Sequence, residues 1–135
     1  MNLIFDAPIN NLSFGNVAVN LLRELYKKKT KLSIFPKTES DFTAFDKVDD
    51  DFKGWVDNAT TYKYHNLHPD LPSLNLWHLN GAEKRISRRQ FLLTFYELDS
   101  PTFVEKKLVE MQDKVFLSNP DGVKAFQDLG CKNVK

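Results

Sequence analysis

Apolar residues fall along this chain in short blocks, and the spacing within the blocks switches between two kinds. Leu3-Ile4-Phe5 is a continuous apolar run closed by Asp6 and the turn-rich segment Ala7 to Gly15. Such a run predicts a strand buried on both faces of a parallel sheet. From Gly15 to about Lys28, Val17, Leu21, Leu22 and Leu25 recur at three- and four-residue spacing, and Lys27, Lys28 and Lys29 suit a helix C-terminus. Ser13 or Asn16 is placed to cap the start of that helix. Leu32-Ser33-Ile34-Phe35 predicts a second strand stopped by Pro36, and Phe52, Trp55, Val56 and Ala59 predict a second amphipathic helix.

The second half continues in the same manner. Leu74 to Leu79, Phe91 to Phe95 and Lys114 to Ser118 read as the third, fourth and fifth strands. Ser100-Pro101 reads as a cap with proline at the first helical position, leading into Phe103, Lys107, Leu108 and Met111 at helical spacing. Asn119-Pro120 repeats the device, and the last helix carries Val123, Phe126 and Leu129 before ending at Gly130. Strands alternating with helices predict an α/β chain with a Rossmann-like, doubly wound, mainly parallel sheet of about five to six strands, helices on both faces and one domain over residues 1–135.

Composition narrows the partners. With 19 basic and 18 acidic residues the formal charge is +1, so no long-range field gathers nucleic acid or anionic lipid, and no nucleic-acid partner is expected. The single cysteine, Cys131, rules out an internal disulfide and a thiol zinc site, and it suits a reducing, cytoplasmic setting. The N-terminus has no basic stretch, and its apolar run is too short for a signal peptide or a transmembrane segment.

In open sheets of this kind ligands bind beyond the carboxyl ends of the strands. The first such loop, Ala7 to Gly15, offers backbone N–H groups at a helix start around Ser13, Phe14 and Gly15, a setting that favours phosphate. It holds one glycine and matches neither G-x-G-x-x-G nor a Walker loop, so a plain strand-to-helix turn stands beside the phosphate cradle as a reading. Trp77-His78-Leu79-Asn80-Gly81 places an imidazole, an amide and a flexible glycine at the same edge, with a buried structural histidine as the competing reading for His78. Beyond the fourth strand, Glu97 is the stronger candidate to take a hydroxyl or its proton, because Asp99 and Ser100 suit the start of the next helix. His65 and His68 have no thiol or carboxylate partner at helical offsets, so they belong to surface or loop packing and no metal is expected. Lys84, Arg85, Arg88 and Arg89 form a basic cluster that suits an acidic acceptor or a membrane-bound phosphate, or is simply a solvated surface.

The segments Leu3 to Leu25, Trp77 to Gly81, Thr94-Phe95-Tyr96-Glu97-Leu98-Asp99, Lys114 to Asn119 and Phe126 to Val134 together resemble the N-terminal domain of GT-B glycosyltransferases, the large, mostly retaining class that uses nucleotide sugars. The resemblance spans nearly the whole chain. It implies that the loop of Ser13, Phe14 and Gly15 faces the donor phosphates and that Asn80, Gly81 and Tyr96 line the acceptor side. His78 and Glu97 are then the catalytic candidates. The first loop lacks the paired glycines common in that family, and Tyr96 stands where many members place a histidine. The family chemistry is sugar transfer from a nucleotide-sugar donor to a sugar or other hydroxyl acceptor, with no further cofactor. Most donor contacts are expected from a C-terminal domain beyond these residues or from a partner chain, so the expectation is that residues 1–135 are inactive alone. Two other readings stay open: a non-catalytic binding module that pairs as a homodimer, and an independent α/β protein that binds a small phosphate ligand.

Overall fold

The computed structural model describes residues 2–98 and 100–135. Five strands, β1 (Asn2–Ala7), β2 (Lys31–Pro36), β3 (Pro72–Leu76), β4 (Arg89–Thr94) and β5 (Lys114–Leu117), form one sheet in the order β2-β1-β3-β4-β5. Every pairing is parallel. Four helices flank it: α1 (Ser13–Lys27), α2 (Asp50–Thr61), α3 (Phe103–Glu110) and α4 (Pro120–Asp128). The fold is α/β, Rossmann-like and doubly wound.

Register explains why the strands are apolar in continuous runs. Phe5 lies beside Ile34 on one side and Leu74 on the other, and Leu76 lies beside Leu93, so these residues share one face. That face packs with Ala18, Val19 and Leu22 of α1, and Phe52 and Val56 of α2 join the same cluster. Leu92 and Val115, also paired in register, belong to the opposite face and pack with Leu108 and Val109 of α3 and Phe126 of α4. Alternate side chains thus feed two separate apolar layers, each removing surface from water at roughly 25 cal/mol per Å².

Several details depart from the sequence reading: β3 ends at Leu76 and not at Leu79, and α1 starts from Leu12 with no side-chain cap from Ser13 or Asn16. No helix follows β3; the connection 77–88 is built from turns, and polar contacts stand in for helix packing. The buried Gln90 and Gln112 side chains meet at 2.9 Å and both donate to the Ala82 carbonyl at 3.0 Å, tying the connection to β4 and to the end of α3. Helix α3 is capped by Thr102, not Ser100: the Thr102 side chain accepts from the Glu105 amide, and its hydroxyl donates to Glu105 Oε1, both at 3.1 Å. Finally, Phe103 and Leu129 sit outside the apolar layers, and Phe103 is 72% exposed.

Asn119 and Gly130 act as the sequence predicts. Asn119 accepts from the Gly122 amide at 2.6 Å with Pro120 opening the helix, and Gly130 takes a φ of 92°. Beyond it, Val134 pairs in parallel with Val115, and Asn133 and Lys135 complete the backbone bonds along the outer edge of β5. Among the described residues no helix is long and apolar enough to cross a membrane.

Candidate functional site

The sheet order sets the position of the site. From β1 the chain goes to β2 on one side and returns to β3 on the other, so the connections above the carboxyl ends of β1 and β3 part and leave a crevice. A cleft of about 390 Å³ lies there, lined by Ser13 and Phe14 at the start of α1, His78 and Asn80 after β3, Tyr96 and Glu97 after β4, and Glu105 in the first turn of α3.

Aromatic contacts hold these pieces in place. The Phe14 ring stacks on Phe95 at 4.6 Å and 12°, meets His78 edge-on at 4.9 Å, and lies 5.8 Å from Trp77. One side chain of α1 is thereby fixed to the connections after both β3 and β4, each ring pair contributing about 0.5–1.5 kcal/mol beyond burial. Phe14 is itself a core residue, 6% exposed.

The start of α1 differs from the other three helices. Its N-cap, Leu12, supplies no side-chain bond and no acid lies in its first turn, whereas α2, α3 and α4 each have a side-chain cap and an acid there. Asn10 Oδ1 accepts from the Leu12 amide at 3.0 Å. Among the described residues the Ser13 and Phe14 amides carry no hydrogen bond, leaving the positive helix end open toward the cleft.

Across the cleft stand groups that handle hydroxyls and protons. His78, Asn80 and Glu97 are exposed, and among the described residues their side chains make no hydrogen bond or ion pair. His78 is thus not the buried structural histidine of the competing reading; its ring rests edge-on against Phe14 and Trp77. A carboxylate accepts only, while an imidazole and an amide both donate and accept, so the set suits a ligand hydroxyl whose proton can be shared. Glu105 adds a buried Oε2 without a hydrogen-bond partner among the described residues.

Other residues singled out in the sequence lie elsewhere. Gly15 is buried under the preceding loop: a Cβ there would lie 2.0 Å from Asn10 Oδ1 and 2.5 Å from the Asn10 carbonyl oxygen, so its need is close backbone approach. Gly81, with φ of 98°, opens onto a neighbouring cleft of about 350 Å³ beside Trp77, Lys84 and the ion pair Asp6–Lys37 at 2.9 Å. Tyr96 is mostly core, 7% exposed and packed on Phe126 at 4.9 Å, with its carbonyl accepting from Asn119 Nδ2. The basic cluster does not act as one patch. Arg85 is turned inward to the carbonyls of Met111, Ser87 and Arg88 and to Asp113, and Arg88 pairs with Asp70. His65 and His68 are exposed, and no group of side chains among the described residues can hold a metal ion. Asp99 lies outside the described residues.

Leu79, Phe95, Leu98 and Glu105 are the cleft residues that sequence reading does not single out as candidates. The Thr102-x-x-Glu105 capping pattern marks Glu105 as a helix-start residue, and only the fold brings it into the lining of the cleft. Comparison with family models, with curated proteins and with solved structures finds no match to this chain, so the reading of the cleft rests on its own geometry.

Proposed function

We propose that this chain is the acceptor-side domain of a nucleotide-sugar-dependent glycosyltransferase of the GT-B kind. The supporting observation is the convergence, at the carboxyl ends of β1, β3 and β4, of an uncapped helix start with a free carboxylate, imidazole and amide. In this reading Glu97 and His78 hold and accept the proton of the acceptor hydroxyl, and Asn80 orients it. The open amides of Ser13 and Phe14 face a donor phosphate carried mainly by another domain or chain. Positioning and leaving-group stabilisation then supply the rate.

A second reading, a non-catalytic module that pairs with another copy or chain, is favoured by exposed apolar residues next in sequence to those of the cleft. Leu12 and Leu98 are 68% and 64% exposed, and Phe103 and Val104 are exposed in the same first turn of α3 as Glu105. Apolar side chains grouped in this way mark surfaces that another protein covers.

The test combines acceptor binding and turnover on residues 1–135. Calorimetric titration with glucose and N-acetylglucosamine derivatives is expected to show weak binding that falls by about tenfold or more in Glu97→Gln and in His78→Ala, with circular dichroism unchanged. With UDP-glucose or GDP-mannose as donor, no turnover by the isolated chain is expected. Turnover at ordinary enzyme rates would overturn the assignment of the donor site to another domain. Tight binding of free nucleotide without acceptor binding would replace the proposal with that of an independent phosphate-ligand protein.

A further inference from the structure

A third cleft, of about 300 Å³, opens at the opposite end of the sheet, where the amino ends of β1 and β2 meet the end of α2. Its size is at the lower end of the range of about 300–1,000 Å³ usual for small-molecule sites. Its chemistry differs from that of the first cleft. Trp55 and Tyr62 give it aromatic surface, and Asn58, His65 and Asn66 give it polar groups, while among the described residues no carboxylate lines it and Lys31 is its one cationic side chain.

The polar groups are uncommitted. Among the described residues the side chains of Asn58, His65 and Asn66 make no hydrogen bond, and the one ring contact of His65 is edge-on to Tyr62 at 5.2 Å. Two amides and an imidazole bring both donors and acceptors, which matches hydroxyl groups better than carboxylates or ammonium groups. Trp55 is braced by Tyr26 at 5.2 Å and by Phe52 at 6.0 Å, so it is a fixed wall, whereas Tyr62 is 56% exposed. A rigid ring surface next to a two-way hydrogen-bonding fringe fits a molecule with one C–H face and a rim of hydroxyls.

We propose that this cleft binds a neutral, hydroxyl-rich ligand of the carbohydrate class, seated against Trp55 and Tyr62 and held by Asn58, His65 and Asn66. The site lies at the amino ends of the strands, so it neither overlaps the first cleft nor depends on the function proposed for it. In a sugar-transferring protein it would hold a second part of a glycan away from the reacting end.

The experiment is an NMR titration of the isotope-labelled 135-residue chain with neutral maltose, cellobiose and chitobiose. Amide shifts are expected to localise to Asn58, Tyr62, His65 and Asn66, together with the Trp55 indole. Tyr62→Ala and Asn66→Ala, both at exposed positions, should each weaken binding by about tenfold while leaving the remaining spectrum in place. Shifts confined to Ser13, His78 and Glu97 would overturn this site while leaving the first cleft as a sugar site. Absence of shifts with any of the three disaccharides, shifts here that survive both substitutions, or a response only to a phosphorylated sugar through Lys31 would each overturn the proposal.

Discussion

Gly15 and Gly54 both sit in helices, yet a methyl group would have opposite effects at the two. At Gly15 the added carbon would meet the backbone of Asn10, which carries the loop over the helix start and cannot withdraw without moving the cleft. Gly15→Ala is expected to destabilise the chain by about 1–3 kcal/mol, the usual range for overpacking. At Gly54 nothing lies within 4 Å of the added carbon, so Gly54→Ala should stabilise α2 by roughly 0.5–1 kcal/mol through backbone entropy. Urea unfolding of the two variants checks both signs; a neutral Gly15→Ala would show that the loop is free to shift. At this scale the sequence showed a glycine ending a ligand-side loop, and it could not show that the loop's own backbone is the close neighbour.

Helix starts show which local signals survive folding. Two competed ahead of α3, Ser100-Pro101 and the Thr102-x-x-Glu105 box, and the second starts the helix because it satisfies the Glu105 amide from a side chain. Starting there places Leu108 and Val109 on the buried side and leaves Phe103 and Met111 outside. Ahead of α4, Asn119 does two things: Oδ1 caps the Gly122 amide and Nδ2 holds the Tyr96 carbonyl at 2.9 Å. Thr102→Ala should therefore cost about 1 kcal/mol and Asn119→Ala more, since it removes a cap and also the Nδ2 bond to the Tyr96 carbonyl. Asn119→Asp keeps the cap and loses the second bond, so it should fall between wild type and Asn119→Ala in denaturant midpoint. Equal losses for Asn119→Asp and Asn119→Ala would show that the cap contributes nothing.

The molecule as a whole divides its core into two layers, and Cys131 belongs to the layer under α3 and α4. Burial pushes the Cys131 thiol up, and the Glu110 carboxylate adds to that shift. A thiol held above its unfolded value stabilises the fold fully below that value, near pH 8.5 for an ordinary thiol, and the contribution is lost as pH climbs toward the folded value. Unfolding midpoints of the wild-type chain should thus fall more steeply above about pH 8.5 than those of Cys131→Ala, with parallel behaviour at lower pH. Alkylation of the native thiol at neutral pH should be slow until the chain unfolds. Identical alkaline slopes for the two chains would mean that the thiol is hydrated in the folded state.

The sequence by itself determined the existence of five strands and four helices, the parallel class of the sheet and the Asn119 cap, because hydrophobic period and capping chemistry act over a few residues. It also pointed to the loops that carry His78, Asn80 and Glu97, since strand ends in such sheets are where ligands meet the chain. Only the tertiary structure decided which of those residues share a space. The order β2-β1-β3-β4-β5 brings Ser13, His78 and Glu97 around one cleft, moves Gly81 to another and turns Arg85 back into the chain. Those outcomes depend on pairings between residues far apart in sequence, which no local pattern encodes.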